Sequence, residues 1–447
     1  MKLSLIEGDE NYAARVVTIN NLQDLPGLDN LRGTYIDGNL VLVGKDTLIG
    51  MTGVFFLAET QLGLLYCSAN NLFKHGELNS NPATRGYIEE NRRVKALKLK
   101  GYISTGLWMP LSSLVAIVGV GGFDDLDVGD TFHKLNGVEI CCKYRRKGRT
   151  PGLPDRNEPK ATGPRTRVNE RAFAQHVRTS HLFANMDKLT GDEYIRLTRK
   201  LHGTSARVGL VPVHRGWTWW RRALRKLRID QQLYDWQFVV GSRQVIKSVN
   251  GETKRNGDFY KENVWNESAK VFEGKLHKGE CIYYEIIGWT ANGRPLQKGY
   301  TYGLEPGSHK IYIYRITMAN EDGVAHDLPL PALRERCAQL GVDLVPVLFY
   351  GTSTGLYGQL TNQGSIWVIP DNWRDLLRDA IQDRFLDKPS ALDSSIVEEG
   401  VVMTVESLGV HYHFKAKSPK FLLHETKVLD DKEDNSIGDE DTNDPAV

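Results

Sequence analysis

Over the first 145 residues, apolar positions come in short or alternating runs, at 39–43, 63–67, 98–102 and 114–118, punctuated by Gly, Asn, Asp and Pro. That pattern predicts short strands, and closely spaced short strands with few helical patterns predict a small barrel or sandwich. Within residues 91–100, Leu97 and Leu99 alternate with Lys98 and Lys100, so a strand there buries one face and presents a cationic one. With Arg93 and Lys95 added, this face suits a nucleic-acid backbone; a merely solvated strand face accounts for it equally well. From residue 171 the patterning is mixed. Residues 236–240, 282–288 and 311–316 read as strands. Trp373, Leu376, Leu377, Ile381 and Phe385 recur at helical spacing and predict a helix over 371–385 packed on a sheet. The class expected is α+β.

Residues 144–170 break both patterns. They are rich in Pro, Gly and Arg and almost free of large apolar side chains, as a linker is. The chain then divides into a unit at 1–145, a linker at 146–170, a second unit at 171–428 and an acidic, disordered tail at 429–447. A length of 447 residues suits two or three domains. The net charge of +2 conceals the contrast between basic internal stretches and the acidic tail. Five cysteines without a C-x-x-C pair argue against a disulfide framework or a cysteine zinc site, and for a reducing compartment. The N-terminus lacks the apolar core of a signal peptide, and no stretch approaches the roughly 20 apolar residues of a membrane span. A soluble, intracellular protein is expected, cytoplasmic or nuclear, with cellular and viral origins both open. Gly119-Val120-Gly121-Gly122 lacks the last glycine and the strand–helix setting of a dinucleotide loop, and is set aside.

Candidate chemistry begins at Lys200-Leu201-His202-Gly203, a lysine just ahead of a turn glycine. A lysine, with an ordinary pKa of about 10.4, attacks phosphorus only when neutral, and nearby cations and burial favour that form. Attack on a nucleotide therefore calls for further positive charge, a group for the ribose and a carboxylate for a metal. The chain supplies these in order. Ser242-Arg243 follows a strand and can reach a phosphate or a sugar. Glu285 is the carboxylate within the apolar run 282–288, where a charge is costly without a partner such as a sugar hydroxyl pair. Tyr312 and Tyr314 share a strand face; either can stack on a base or pack on the sheet. Glu398-Glu399-Gly400 opens another apolar strand, where a carboxylate can orient a magnesium ion. Lys415 and Lys417, at strand period two, point the same way and repel unless an anion lies between them.

This ordered series resembles the ATP-dependent RNA ligases of the covalent nucleotidyltransferase superfamily, and among them the Naegleria/Deinococcus-type branch with an N-terminal OB domain. Residues 91–106 also look like that branch, and the likeness covers most of 35–425. The resemblance implies an OB-type β-barrel followed by an adenylyltransferase domain (an ATP-grasp-like nucleotidyltransferase) built on antiparallel sheets. It implies ATP and Mg2+ or Mn2+ as cofactors, RNA as partner, a monomer, and the joining of 3′-OH and 5′-phosphate ends, with nick sealing favoured. Lys200 would be the adenylylated nucleophile, with Leu201, His202 and Gly203 about the nucleotide. Glu285 would bind the ribose, Arg243 the sugar or phosphate, and Glu399 the metal through its waters. Lys415 and Lys417 would hold the α-phosphate, Arg178 would bridge to it, and Tyr312 or Tyr314 would lie near the adenine. His202 stands where relatives carry Asp or His, and Arg199 where some carry Glu.

Residues 214–236 depart from the pattern, with four tryptophans and six Arg or Lys residues. Basic residues interleaved with aromatics, Arg221, Arg222 and Arg225 among them, suit an RNA strand. An amphipathic helix lying on the sheet is the competing reading. Two other functions compete. A DNA ligase or GTP-using guanylyltransferase is disfavoured by the N-terminal barrel, since those enzymes usually place it after the lysine domain. A non-catalytic OB-domain RNA-binding protein is disfavoured by the full set Lys200, Glu285, Glu399, Lys415 and Lys417.

Overall fold

The computed structural model describes residues 2–145, 167–215, 219–227, 234–253, 263–362 and 369–431. Its N-terminal unit contains β1 (Ala14–Thr18), β2 (Leu31–Ile36), β3 (Asn39–Gly44), β4 (Thr52–Leu57), α1 (Leu64–Ala69), β5 (Leu97–Leu99), β6 (Tyr102–Ser104) and β7 (Gly106–Pro110). Strands β7, β4, β1 and Thr131–Phe132 form one antiparallel sheet, β2 and β3 join Gln23–Asp24 in another, and β5 pairs with β6. None of these sheets closes on itself among the described residues. Val16, Val54, Phe56, Tyr66 and Phe132 build the core.

Two of the runs expected to be strands are helical. Residues 64–67 lie in α1, and residues 114–118 in a 3-10 turn and a short helix, Val115–Val118. A continuous apolar run has no period that separates strand from helix. Residues 98–102 are not one strand but the tip of a hairpin. Lys100 and Gly101 take φ of 50° and 97°, the left-handed pair that a tight two-residue turn requires. Leu97 and Leu99, expected to be buried, are exposed beside Lys98 and Lys100, because β5 pairs only with β6.

The second unit contains β8 (Tyr194–Lys200), β9 (Thr204–His214), α2 (Trp219–Lys226), β10 (Tyr234–Ser242), β11 (Glu280–Gly288), β12 (His309–Ala319), α3 (Leu330–Leu340), β13 (Val347–Thr352), α4 (Trp373–Phe385), β14 (Gly400–Val405), β15 (Tyr412–Lys417) and α5 (Pro419–Asp430). A five-stranded sheet runs Ser180–His181, β15, β14, β8, β13. A larger sheet carries β10, β9, β11 and β12 at its centre. Pairing is antiparallel except for Ser180–His181 with β15 and Asp343–Leu344 with β12. The mixed class with antiparallel sheets is the one expected.

Strand periodicity decides which way each residue faces. Ile195, Leu197, Val401, Met403, Phe414 and Ala416 bury against Trp373, Leu377 and Ile381 of α4, the helix that the spacing predicts. In the larger sheet Val208, Ile282, Tyr284, Ile286 and Ile313 pack on Leu330, Leu333 and Leu340 of α3. The polar faces left over border a cavity between the two sheets.

Helix α5 ties the units together. Arg93 donates to the Thr426 carbonyl at 3.0 Å and to Asp430 at 2.8 Å, and Lys95 donates to Asp430 at 2.9 Å. This corrects two expectations. Arg93 is 1% exposed, so it is not part of an open cationic face, and Lys95 is turned to α5 as well. Leu429 and Asp430 belong to α5 rather than to the tail. The rest of the tail from 432, and residues 146–166 of the linker, lie outside the described residues.

Candidate active site

Sheet register assembles the site. Across β8, β14 and β15, Lys200 stands opposite Gly400, and Gly400 opposite Lys417. The next row on the same face is Thr198, Val402, Lys415, and the one after is Arg196, Thr404, His413. Directly paired residues share a sheet face, so nine residues of three strands lie on one face, and six of them, Arg196, Thr198, Lys200, Val402, Thr404 and His413, border a cavity. The cavity is also bordered by Ser205, Arg243, Tyr283, Glu285, Tyr314 and Arg315 from the larger sheet. Two glycines make this close fit possible. A Cβ on Gly400 would meet the Ala416 carbonyl oxygen at 2.0 Å, and one on Gly203 would meet the Ile286 carbonyl oxygen at 2.3 Å.

Lys200 donates to Glu399 Oε1 at 2.7 Å, and the Glu399 side chain is 2% exposed. Burial pushes the Lys200 ammonium down, but Glu399 and Glu285 outweigh it and hold the pKa above that of an ordinary lysine. The ligand-free Lys200 is thus protonated. The Lys417 ammonium opposes the two carboxylates. Glu285 accepts from the Gly203 N–H at 3.1 Å and the Ser205 hydroxyl at 3.0 Å. Burial pushes its pKa up to about 8, against the pull of the Lys200 ammonium and the Ser205 hydroxyl.

Helix α5 reaches the same place. Both oxygens of Glu425 accept from Lys417 Nζ, at 2.8 and 2.9 Å. Against the upward push of burial, Lys417 holds Glu425 below its ordinary range. His202 meets the rings of Phe421 and Tyr300 edge-on, at centroid distances of 4.8 and 5.1 Å. Its backbone N–H donates to the Tyr302 hydroxyl, and its ring Nδ1 is 3.9 Å from Glu399, beyond hydrogen-bond reach. Leu201 is buried with Tyr302 and Phe421.

The structure therefore brings Lys200, Gly203, Arg243, Glu285, Glu399 and Lys417 together, and places Lys415 one row along the same sheet face, outside the cavity lining. It separates the two tyrosines. Tyr314 borders the cavity with its hydroxyl on His176 and packs against the edge of the cluster of Leu201 and Tyr302, whereas Tyr312 is buried within that cluster and does not border the cavity. Arg178 does not line the cavity: its exposed guanidinium lies over Gly8 of the N-terminal unit. Arg221, Arg222 and Arg225 lie on α2, but their side chains are outside the described residues. Sequence reasoning missed Arg196, Thr404, His413 and Glu425. His413 had a signal: it continues the period-two series of Lys417 and Lys415.

No protein-family model matches the sequence, and no curated protein does. Solved structures do. A lysine-to-alanine mutant of the Naegleria gruberi RNA ligase with ATP and Mn is 16% identical, covering 95% of this chain and 99% of that one, with a TM-score of 0.53. The same ligase with PPi is 17% identical, covering 93% and 98%, with a TM-score of 0.54. A mutant with AMP and Mn is 17% identical, covering 92% and 97%, also at 0.54. Nearly the whole of both chains superposes, so this chain is built on the fold of the Naegleria gruberi RNA ligase.

Proposed function

We propose that the chain is an ATP-dependent RNA ligase that works through lysyl-AMP. The observation that carries this is the row Lys200, Gly400, Lys417 on one sheet face, with Glu399 on Lys200 and Glu285 across the cavity that Lys200 borders, in the fold of an RNA ligase. The Lys200 amine attacks the α-phosphorus of ATP; an N–P bond forms as the bond to pyrophosphate breaks. AMP passes to the 5′-phosphate of an RNA strand, and Lys200 regains its proton. A 3′-hydroxyl attacks that activated end and expels AMP. Each step is an in-line attack at phosphorus beside Lys415 and Lys417, which stabilise the developing charge.

The first step needs a neutral Lys200. Once the Glu399 carboxylate is drawn off it, burial and the Lys417 ammonium push its pKa down against Glu285 alone. Glu399 Oε2 is buried and without a hydrogen bond, and no three His, Cys, Asp or Glu cluster as a metal cage among the described residues. That donor set fits a hydrated divalent cation touched by one carboxylate and the substrate phosphates. Mg2+ or Mn2+ held there would supply neutralising charge at the phosphate oxygens. Among the described residues no helix is long and apolar enough to cross a membrane. In this reading the N-terminal unit is an OB-type RNA-binding module, presenting Lys98 and Lys100 on its hairpin. Helix α2 adds Arg221, Arg222 and Arg225, the enzyme is a monomer, and the substrate is a nick with an RNA 3′-OH.

The test is labelling by α-labelled ATP with Mg2+, after pyrophosphate has stripped any adduct already present, with GTP as control. An acid-labile AMP adduct, followed by sealing of a nicked duplex with an RNA 3′-OH, is the expected result. No adduct with ATP would overturn the reading.

Glu285 gives a second prediction. A carboxyl group accepts from ribose hydroxyls best when ionised, and in the ligand-free protein it ionises only near pH 8. Nucleotide binding then expels its proton, so ATP affinity should rise from pH 6.5 to 8 by up to about tenfold per unit and level off above pH 8. Glu285→Gln should bind ATP about tenfold more weakly and lose that rise. Titration calorimetry of both proteins checks it; equal pH dependence would rule Glu285 out as the source.

A further inference from the structure

We propose that His413, oriented by Thr404, reads the 6-amino group of the purine at the far end of the cavity. This deepens the nucleotidyl-transfer reading and rests on it. Residues in successive rows of an antiparallel strand are roughly 7 Å apart, so the row Arg196, Thr404, His413 lies roughly 14 Å from the row Lys200, Gly400, Lys417. With phosphate at the lysine end, that span leaves room for a nucleoside along the wall, its base at the His413 end. All three residues of the far row border the cavity.

The polar groups there are arranged for a ligand. Thr404 Oγ1 is 3.0 Å from His413 Nδ1 and fixes the ring, while His413 Nε2 is buried and makes no hydrogen bond. Arg196 Nη1 is likewise buried without a hydrogen bond, 3.6 Å from Glu406, while its Nη2 donates to the Tyr314 carbonyl. A buried nitrogen without a partner is costly, and most such groups find one. The imidazole is neutral: burial pushes its pKa down to about 3, and the Arg315 guanidinium pushes the same way. In this proposal the proton sits on Nδ1 and is donated to Thr404 Oγ1, which leaves Nε2 as an acceptor. The exocyclic amine of adenine is a donor, and the ring nitrogen beside it accepts from an arginine. Acceptor and donor at the far row thus match that edge.

The experiment compares ATP with purine riboside 5′-triphosphate, which lacks the 6-amino group, in adduct formation by wild type and His413→Ala. Wild type should prefer ATP by about tenfold in kcat/KM, and His413→Ala should lose that preference through a rise in KM for ATP with kcat within about threefold. His413→Asn, which keeps an acceptor, should recover part of it, and it carries the comparison if the alanine variant does not fold. A preference for ATP that survives in both variants would overturn the proposal. So would a wild type that forms adducts equally with both nucleotides. A wild type that labels with no nucleotide would defeat the ligase reading itself, and this inference with it.

Discussion

Lys200→Ala is expected to form no covalent AMP adduct, a loss of at least about 10³-fold in the first step, or ~4 kcal/mol of barrier. No other lysine in the wall can substitute. Lys417 is held by Glu425, and Lys415 stands one row further along the wall. The variant isolates chemistry from folding in two ways. ATP binding should persist, because Glu285, Arg243 and the far row are untouched. Sealing of a strand supplied with its 5′ end already adenylylated should also persist to within about tenfold, because the last step forms no bond to Lys200. The measurements are gel labelling, calorimetry and sealing of the pre-activated nick. Adduct above a hundredth of the wild-type level would remove Lys200 as the nucleophile. Loss of all three activities together would point to a collapsed site instead.

The parts of this site legible in sequence are those that obey strand periodicity. Lys415 and Lys417 at period two do share a sheet face, because unbroken register keeps alternate residues on one side; Glu399 meets Lys200 from just before the strand, at the positive-φ Gly400, which periodicity alone does not give. The tyrosine pair shows where that logic ends. Register slips between Tyr283 and Tyr284 of β11, so Tyr314 is skipped in the pairing and Tyr312 and Tyr314 enter different surroundings. A bulge has no signature in alternating residues. Helix α5 was hidden for another reason. Its contacts with Arg93 join residues 333 and 337 positions apart, and acidic residues near a chain end look like a solvated tail until a partner is known. Glu425 belongs to the same blind spot. Nothing local marks a glutamate that will meet a lysine across a strand–helix turn.

That buried joint carries the second large effect. Arg93→Met is expected to lower the first unfolding transition by ~3–5 kcal/mol, because it leaves acidic groups without their cation rather than exchanging one well-packed pair for another. The Arg93 side chain is fully buried, 2.8 Å from Asp430, 3.7 Å from Glu59 and stacked 5.0 Å over the Tyr144 ring. Glu59 shows the strain on the joint: burial pushes its pKa up to about 7, against the pull of Arg93. Between the ordinary value of 4.5 and 7 the folded protein therefore binds more protons than the unfolded chain, and stability falls as pH rises through that window. Without Arg93 the folded pKa climbs further and the window extends above pH 7. The substitution should consequently cost less at pH 6, where Glu59 is protonated, than at pH 8, where it must ionise in a buried site. Denaturant melts at the two pH values check both claims, read on the first transition because a chain of several units unfolds in stages. A cost below about 1 kcal/mol, or one that shrinks toward pH 8, would show that Arg93 is not what holds the N-terminal unit to α5. Glu425, the partner of Lys417, lies on the same helix. A variant that frees α5 should therefore also weaken adduct formation, whereas one that loosens only the N-terminal strands should leave it intact.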